Sequence, residues 1–156
     1  MSIIVVYDSV FGNTAKVADA VAGALRPGRE VKLLRIEEAS EWPLKGIDLL
    51  VVGSPTRGFR PTPAMSELVA VLRPAVPGQA AAVFDTRLAP EDIHPAPLRW
   101  VVEAGGYAAT RMAEKLGEGG FALRGAPAGF LVGGTEGPLK PGELERAAAW
   151  AATLIA

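Results

Sequence analysis

The run Ile3-Ile4-Val5-Val6 has no polar residue at alternate positions, as expected of a strand covered on both faces. It predicts a first strand over 2–7. The pattern then changes to helical spacing over 13–26, with Val17, Val21 and Leu25 at i, i+4 and i+8. Arg26-Pro27-Gly28 stops that helix. A more polar strand over 30–36 suits a sheet edge, and a loop with Trp42-Pro43 leads to a third strand over 48–54. The loop 55–63 holds three prolines, which fix φ and make it stiff. A helix over 64–72 ends at Arg73-Pro74, and a fourth strand covers 80–84. After a loop over 85–97, helical spacing resumes at Leu98, breaks near Gly105-Gly106 and reaches Leu116. Residues 121–123 and 129–132 read as two pieces of a fifth strand. The loop 133–142 precedes a last helix over 143–155, with Leu144, Ala148, Ala151 and Ile155 on one face.

Alternating strands and helices predict an α/β sandwich on a parallel sheet with right-handed crossovers. Ligands bind such sheets beyond the carboxyl ends of the strands, where strand order reverses. The loops after strands one, three and four are therefore the candidate site. No repeat or linker divides the chain, so 1–156 is expected to be one domain.

Composition narrows the chemistry. Of 156 residues, 49% are hydrophobic and 21% charged, which is a globular balance. No apolar run approaches the ~20 residues of a membrane span, and no targeting signal precedes the first strand. The expectation is a cytoplasmic protein without a membrane partner. The absence of cysteine excludes thiolate catalysis, disulfides and Cys-ligated metals. A net charge of −1 gives no footprint for nucleic acid. Scarce amides with abundant Ala, Arg and Pro fit a thermophile or a GC-rich genome equally.

The first strand runs into Ser9-Val10-Phe11-Gly12-Asn13-Thr14 and then a helix. Free N–H groups of a first helical turn, the helix dipole and the Ser9 and Thr14 hydroxyls make an anion site. An N-capped helix without a ligand gives the same pattern. The third strand runs into Ser54-Pro55-Thr56-Arg57-Gly58-Phe59-Arg60-Pro61, which is also what a stiff surface loop looks like. Asp85-Thr86-Arg87 follows the fourth strand.

These loops together resemble the flavodoxin-like superfamily. Ser9 to Thr14 is similar to its phosphate loop, with Phe11 where the family usually has Thr. The 54–58 stretch is similar to its Ser-Pro-Thr loop. The segment from Gly133 to Leu139 is similar to that of small flavodoxin-domain proteins related to the flavin module of flavo-diiron proteins. The resemblance implies a three-layer sandwich of strand order 2-1-3-4-5 with the fifth strand split, and FMN as cofactor. It implies that Ser9, Val10, Phe11, Gly12, Asn13 and Thr14 hold the phosphate. Pro55, Thr56, Arg57, Gly58 and Phe59 would cover the isoalloxazine ring, with a Gly58 peptide able to flip toward flavin N5. Asp85, Thr86 and Arg87 would contact its edge. The family often stacks a Tyr after the fourth strand; no aromatic stands between Asp85 and Pro97, which leaves Phe59 as the nearest stacking candidate.

An electron carrier with a redox partner protein or a small-molecule donor or acceptor is the expected function. An FMN-dependent NAD(P)H or quinone oxidoreductase, and a degenerate module with weak or no FMN, are the alternatives. Arg57, Arg87 and His94 are the side chains that would meet a substrate; a solvated position is the plainer reading of each. Receiver-domain chemistry lacks its phospho-acceptor Asp and its Lys, low-molecular-weight phosphatase chemistry lacks its Cys, and neither G-x-G-x-x-G nor a P-loop occurs.

Overall fold

The computed structural model describes residues 1–41, 43–89 and 106–156. Its strands are β1 (Ser2–Tyr7), β2 (Glu30–Arg35), β3 (Leu49–Pro55), β4 (Ala80–Leu88), β5 (Ala122–Leu123) and β6 (Ala128–Val132). The helices are α1 (Asn13–Leu25), α2 (Pro63–Val71), α3 (Ala108–Glu118) and α4 (Glu143–Thr153). A 3-10 turn, Ile36–Glu41, follows β2. Trp42, His94 and the helical start at Leu98 lie outside the described residues.

All strand pairs are parallel, in the order β2-β1-β3-β4, with β5 and β6 both paired to β4. The split fifth strand and the expected order are therefore present. Alternation along β1 explains its unbroken apolar run. Ile3, Val5 and Tyr7 enter one core beside Val17, Val21 and Leu25 of α1. Ile4 and Val6 enter the other, beside Met65 and Val69 of α2 and Met112 and Leu116 of α3. A fully buried Val or Leu contributes ~1.5–3 kcal/mol, so neither face of this strand tolerates a polar residue.

Two sequence expectations change. Helix α4 buries Glu143, Ala147 and Ala151, with Leu154 just beyond; of the expected face Ala151 is buried and Ile155 packs on the core, but Leu144 is 40% exposed. The reason lies in Glu143, which α4 turns toward β6. Its Oε2 accepts the Leu131 N–H at 2.6 Å, and Arg146 donates to it and to the Gly129 carbonyl. Lys140 N–H donates to Leu131 O and Gly133 N–H to Pro138 O. This sheet edge is thus closed by side chains and by its own returning loop.

The second change is β4, which runs to Leu88 instead of stopping at Phe84. Its polar end keeps ladder partners on both sides, Ser54↔Asp85 and Pro55↔Thr86 from β3, and Arg87↔Leu131 and Leu88↔Val132 from β6. Asp85, Thr86 and Arg87 are strand residues, not loop residues.

Candidate functional site

The strand order reverses between β1 and β3, so the loops after them diverge and leave a cleft at the carboxyl edge of the sheet. Gly12 makes the turn into α1 at φ 94°, left-handed backbone that glycine adopts without strain. The N–H groups of Gly12 and Ala15 donate to Ser9 Oγ at 3.1 and 3.3 Å. The N–H groups of Asn13 and Thr14, at the first two helical positions, have no acceptor within the helix. Thr14 Oγ1 lies 2.8 Å from Thr86 Oγ1, which binds the start of α1 to β4. When Thr86 donates, the Thr14 hydroxyl proton is left for a ligand. Asn13 Nδ2 donates to the Glu136 carbonyl at 3.0 Å and fixes the loop after β6 against the same helix start.

The loop after β3 is a tight hairpin. Arg57 and Arg60 exchange backbone hydrogen bonds of 2.8 and 3.2 Å around Gly58 and Phe59. Both central residues have positive φ, 56° and 69°, the signature of a type I′ turn. Arg111 Nε of α3 donates to the Phe59 carbonyl at 2.7 Å and holds the tip. Thr56 Oγ1 accepts the Ala108 N–H at 2.9 Å and caps α3. The Arg57 guanidinium lies over the Phe11 ring, 5.6 Å from its centroid, so the first and second loops meet.

Asp85 is fully buried and grips Arg87 with both oxygens, while Oδ2 also accepts the Ala109 N–H at 2.9 Å. Burial pushes its carboxyl above the ordinary value, against the opposing pull of Arg87 and the helix start. The Arg87 guanidinium lies 3.7 Å from the centroid of the Tyr107 ring. Its other neighbour is Gly129, where a Cβ would come within 2.2 Å of Cζ, so only glycine leaves room for the cation.

These elements enclose a cleft of about 380 Å³, within the range of ~300–1,000 Å³ usual for small-molecule sites. Ser9, Gly12 and Asp85 do not line it; Asp85 is fully buried, while Ser9 and Gly12 are half-buried. The other site residues expected from sequence line it. So do Leu88, Tyr107, Val132 and Thr135, which the sequence reading missed. Tyr107 is the aromatic that seemed absent from the loop after β4. It enters from the N-terminus of α3, and its only sequence signal was its place between Gly105-Gly106 and the helical pattern. Among the described residues, the cleft wall holds no carboxylate, histidine or lysine. No group of the described residues could hold a metal ion, and none of their helices is long and apolar enough to cross a membrane.

A family model for the flavodoxin domain matches residues 4–118. The chain belongs to the flavodoxin family. A flavodoxin of Aquifex aeolicus is 43% identical over 56 residues, which are 35% of this chain and 30% of that protein's length. Flavodoxin 1 of Bacillus cereus has a similar fold, with a TM-score of 0.71 at 20% identity over 99% of this chain and 97% of its own. A flavodoxin from the Archaea superposes with a TM-score of 0.73 at 23% identity, covering 97% and 94%. Flavodoxins bind FMN. The cleft fits such a group at both ends: first-turn N–H groups of α1 for a phosphate, and apolar walls from Phe11, Phe59 and Tyr107 for a flat ring.

Proposed function

We propose that residues 1–156 form one flavodoxin-like domain that binds FMN and carries electrons to or from a redox partner. The observation that carries this reading is that the start of α1 and the Arg57–Arg60 hairpin face one cleft at the strand-order reversal. FMN supplies reversible one- and two-electron chemistry when bound. The α1 start would hold its phosphate through the Asn13 and Thr14 N–H groups and the Thr14 hydroxyl. Phe59 and Tyr107 would flank the ring, and Gly58 supplies the hinge at which the hairpin peptide turns over. Arg87 lies against Tyr107 with its side chain 19% exposed at the cleft and Asp85 buried behind it; the positive end of that pair would face the cofactor and favour its reduced, anionic form.

The test is a stepwise anaerobic reductive titration of the purified protein after incubation with FMN. Stoichiometric yellow protein with two separate one-electron steps is the expected result. Turnover with a nicotinamide donor or a quinone would assign an oxidoreductase instead. Protein that stays colourless would overturn FMN binding.

A further inference from the structure

The Arg57–Arg60 hairpin encloses the cleft through Arg57, Gly58 and Phe59, while Arg60 stands outside the cleft lining. Arg57 and Arg60 are directly opposed across an antiparallel bridge, and both are exposed. Like charges at such positions repel and destabilise a hairpin. Among the described residues neither guanidinium has a carboxylate partner. The described acids at this end of the molecule do not neutralise the pair. Asp8 accepts the Thr62 hydroxyl at 2.6 Å and the Ser9 N–H at 2.9 Å, and Glu136 stands on the opposite loop beside Asn13. On the same cleft as Arg57, Val10 and Phe11 are large apolar side chains 49% and 46% exposed. Arg57 already covers one side of Phe11.

An aromatic and an aliphatic side chain flanked by unpaired arginines is the composition of a protein interface centre. We propose that this rim, Val10, Phe11, Arg57 and Arg60, is the docking surface for a partner protein whose own face presents carboxylates. Charge complementarity selects that partner, since an acidic face relieves the Arg57–Arg60 repulsion and a basic one adds to it. Arg57 lines the cleft and Arg60 does not, so the two guanidiniums do not converge on one pocket, which favours a broad protein face over a small anion. The electron transfer this docking would serve rests on the FMN reading; the docking does not, so it is tested with and without FMN.

The probe is a Glu-rich peptide with one Leu, titrated into the ¹⁵N-labelled full chain beside a Lys-rich counterpart and inorganic pyrophosphate. Amide signals of 10, 11 and 57–60 are expected to shift with the acidic peptide alone. The affinity should fall several-fold from about 20 to about 200 mM salt, because the screening length shortens roughly threefold. Arg60→Glu, outside the cleft wall, should abolish the shifts while FMN loading is unchanged, and Arg57→Glu should abolish them too. Shifts mapping elsewhere, binding of the Lys-rich peptide at the rim, or no shift at all would overturn the proposal. Pyrophosphate binding there more tightly than the peptide would also overturn it and assign the rim to a small anion. Colourless protein that still shows the shifts would refute FMN binding and leave the docking surface standing.

Discussion

Arg87 lies on the carboxylate of Asp85, Nε to Oδ1 and Nη2 to Oδ2, both at 2.6 Å, two residues apart on one face of β4. Asp85 is fully buried while the Arg87 side chain keeps 19% exposure at the cleft. A charge is thus placed at the site by a second charge hidden behind it.

Removing one member of that pair leaves the other buried alone. Arg87→Met is expected to cost ~3–5 kcal/mol. Asp85→Asn with Arg87→Met should recover part of the loss, since no bare carboxylate remains. Urea unfolding of wild type, single and double variants measures it. Equal losses in the single and double variants would show that the charge pair is not the cause.

Gly129→Ala probes the same pair from the other side. The new Cβ would meet the Arg87 guanidinium at 2.2 Å, with Tyr107 closing the opposite face. Overpacking of this kind typically costs ~1–3 kcal/mol. Displacement of Arg87 should appear as an altered Tyr107 fluorescence or ring chemical shift. Wild-type stability and an unmoved Tyr107 signal would contradict the packing described.

Glu143 sets an acid limit. The hydrogen bonds from Arg146 hold its carboxyl below the ordinary 4.5, aided by the Leu131 N–H against partial burial. The unfolded chain therefore takes up this proton first as pH falls. Its stabilisation is complete above pH 4.5 and is lost as pH falls through the lowered folded value. We expect ~1–2 kcal/mol at neutral pH, discounted because Arg146 is half exposed. Glu143→Gln should flatten the acid limb of a stability-against-pH curve. A limb of unchanged slope would assign it to other carboxylates.

Phe59 occupies left-handed backbone at φ 69°, which costs a non-glycine residue ~1–3 kcal/mol. Phe59→Gly should raise the thermal midpoint and weaken FMN binding together, because the strain and one wall of the cleft go at once. Lower stability would show that the ring's packing outweighs the strain.

Ser9→Ala and Thr14→Ala separate the roles of the two hydroxyls. Thr14→Ala should weaken FMN by ~1–3 kcal/mol through the lost charged hydrogen bond. Ser9 does not line the cleft and its Oγ accepts the Gly12 and Ala15 N–H groups, so Ser9→Ala should act mainly on stability. Isothermal titration with FMN and thermal melts distinguish them. Unchanged FMN affinity in Thr14→Ala would sink the loop assignment.

The sequence determined the buried strands, the order of the elements and the two loops at the reversal point. Each follows from local rules: an unbroken apolar run for a strand covered on both faces, helical spacing for α1, and glycine where Gly12 must turn left-handed. It did not determine where β4 ends. Asp85, Thr86 and Arg87 look like loop residues until their distant partners are known. The Ala109 N–H, the Thr14 hydroxyl and the Tyr107 ring supply what solvent would otherwise supply. Nor did spacing show that Glu143, and not Leu144, turns inward, because the deciding partner is the Leu131 N–H on β6. Tyr107 reaches the cleft for the same reason. Polar satisfaction and side-chain stacking between residues far apart in sequence exist only once the chain is folded.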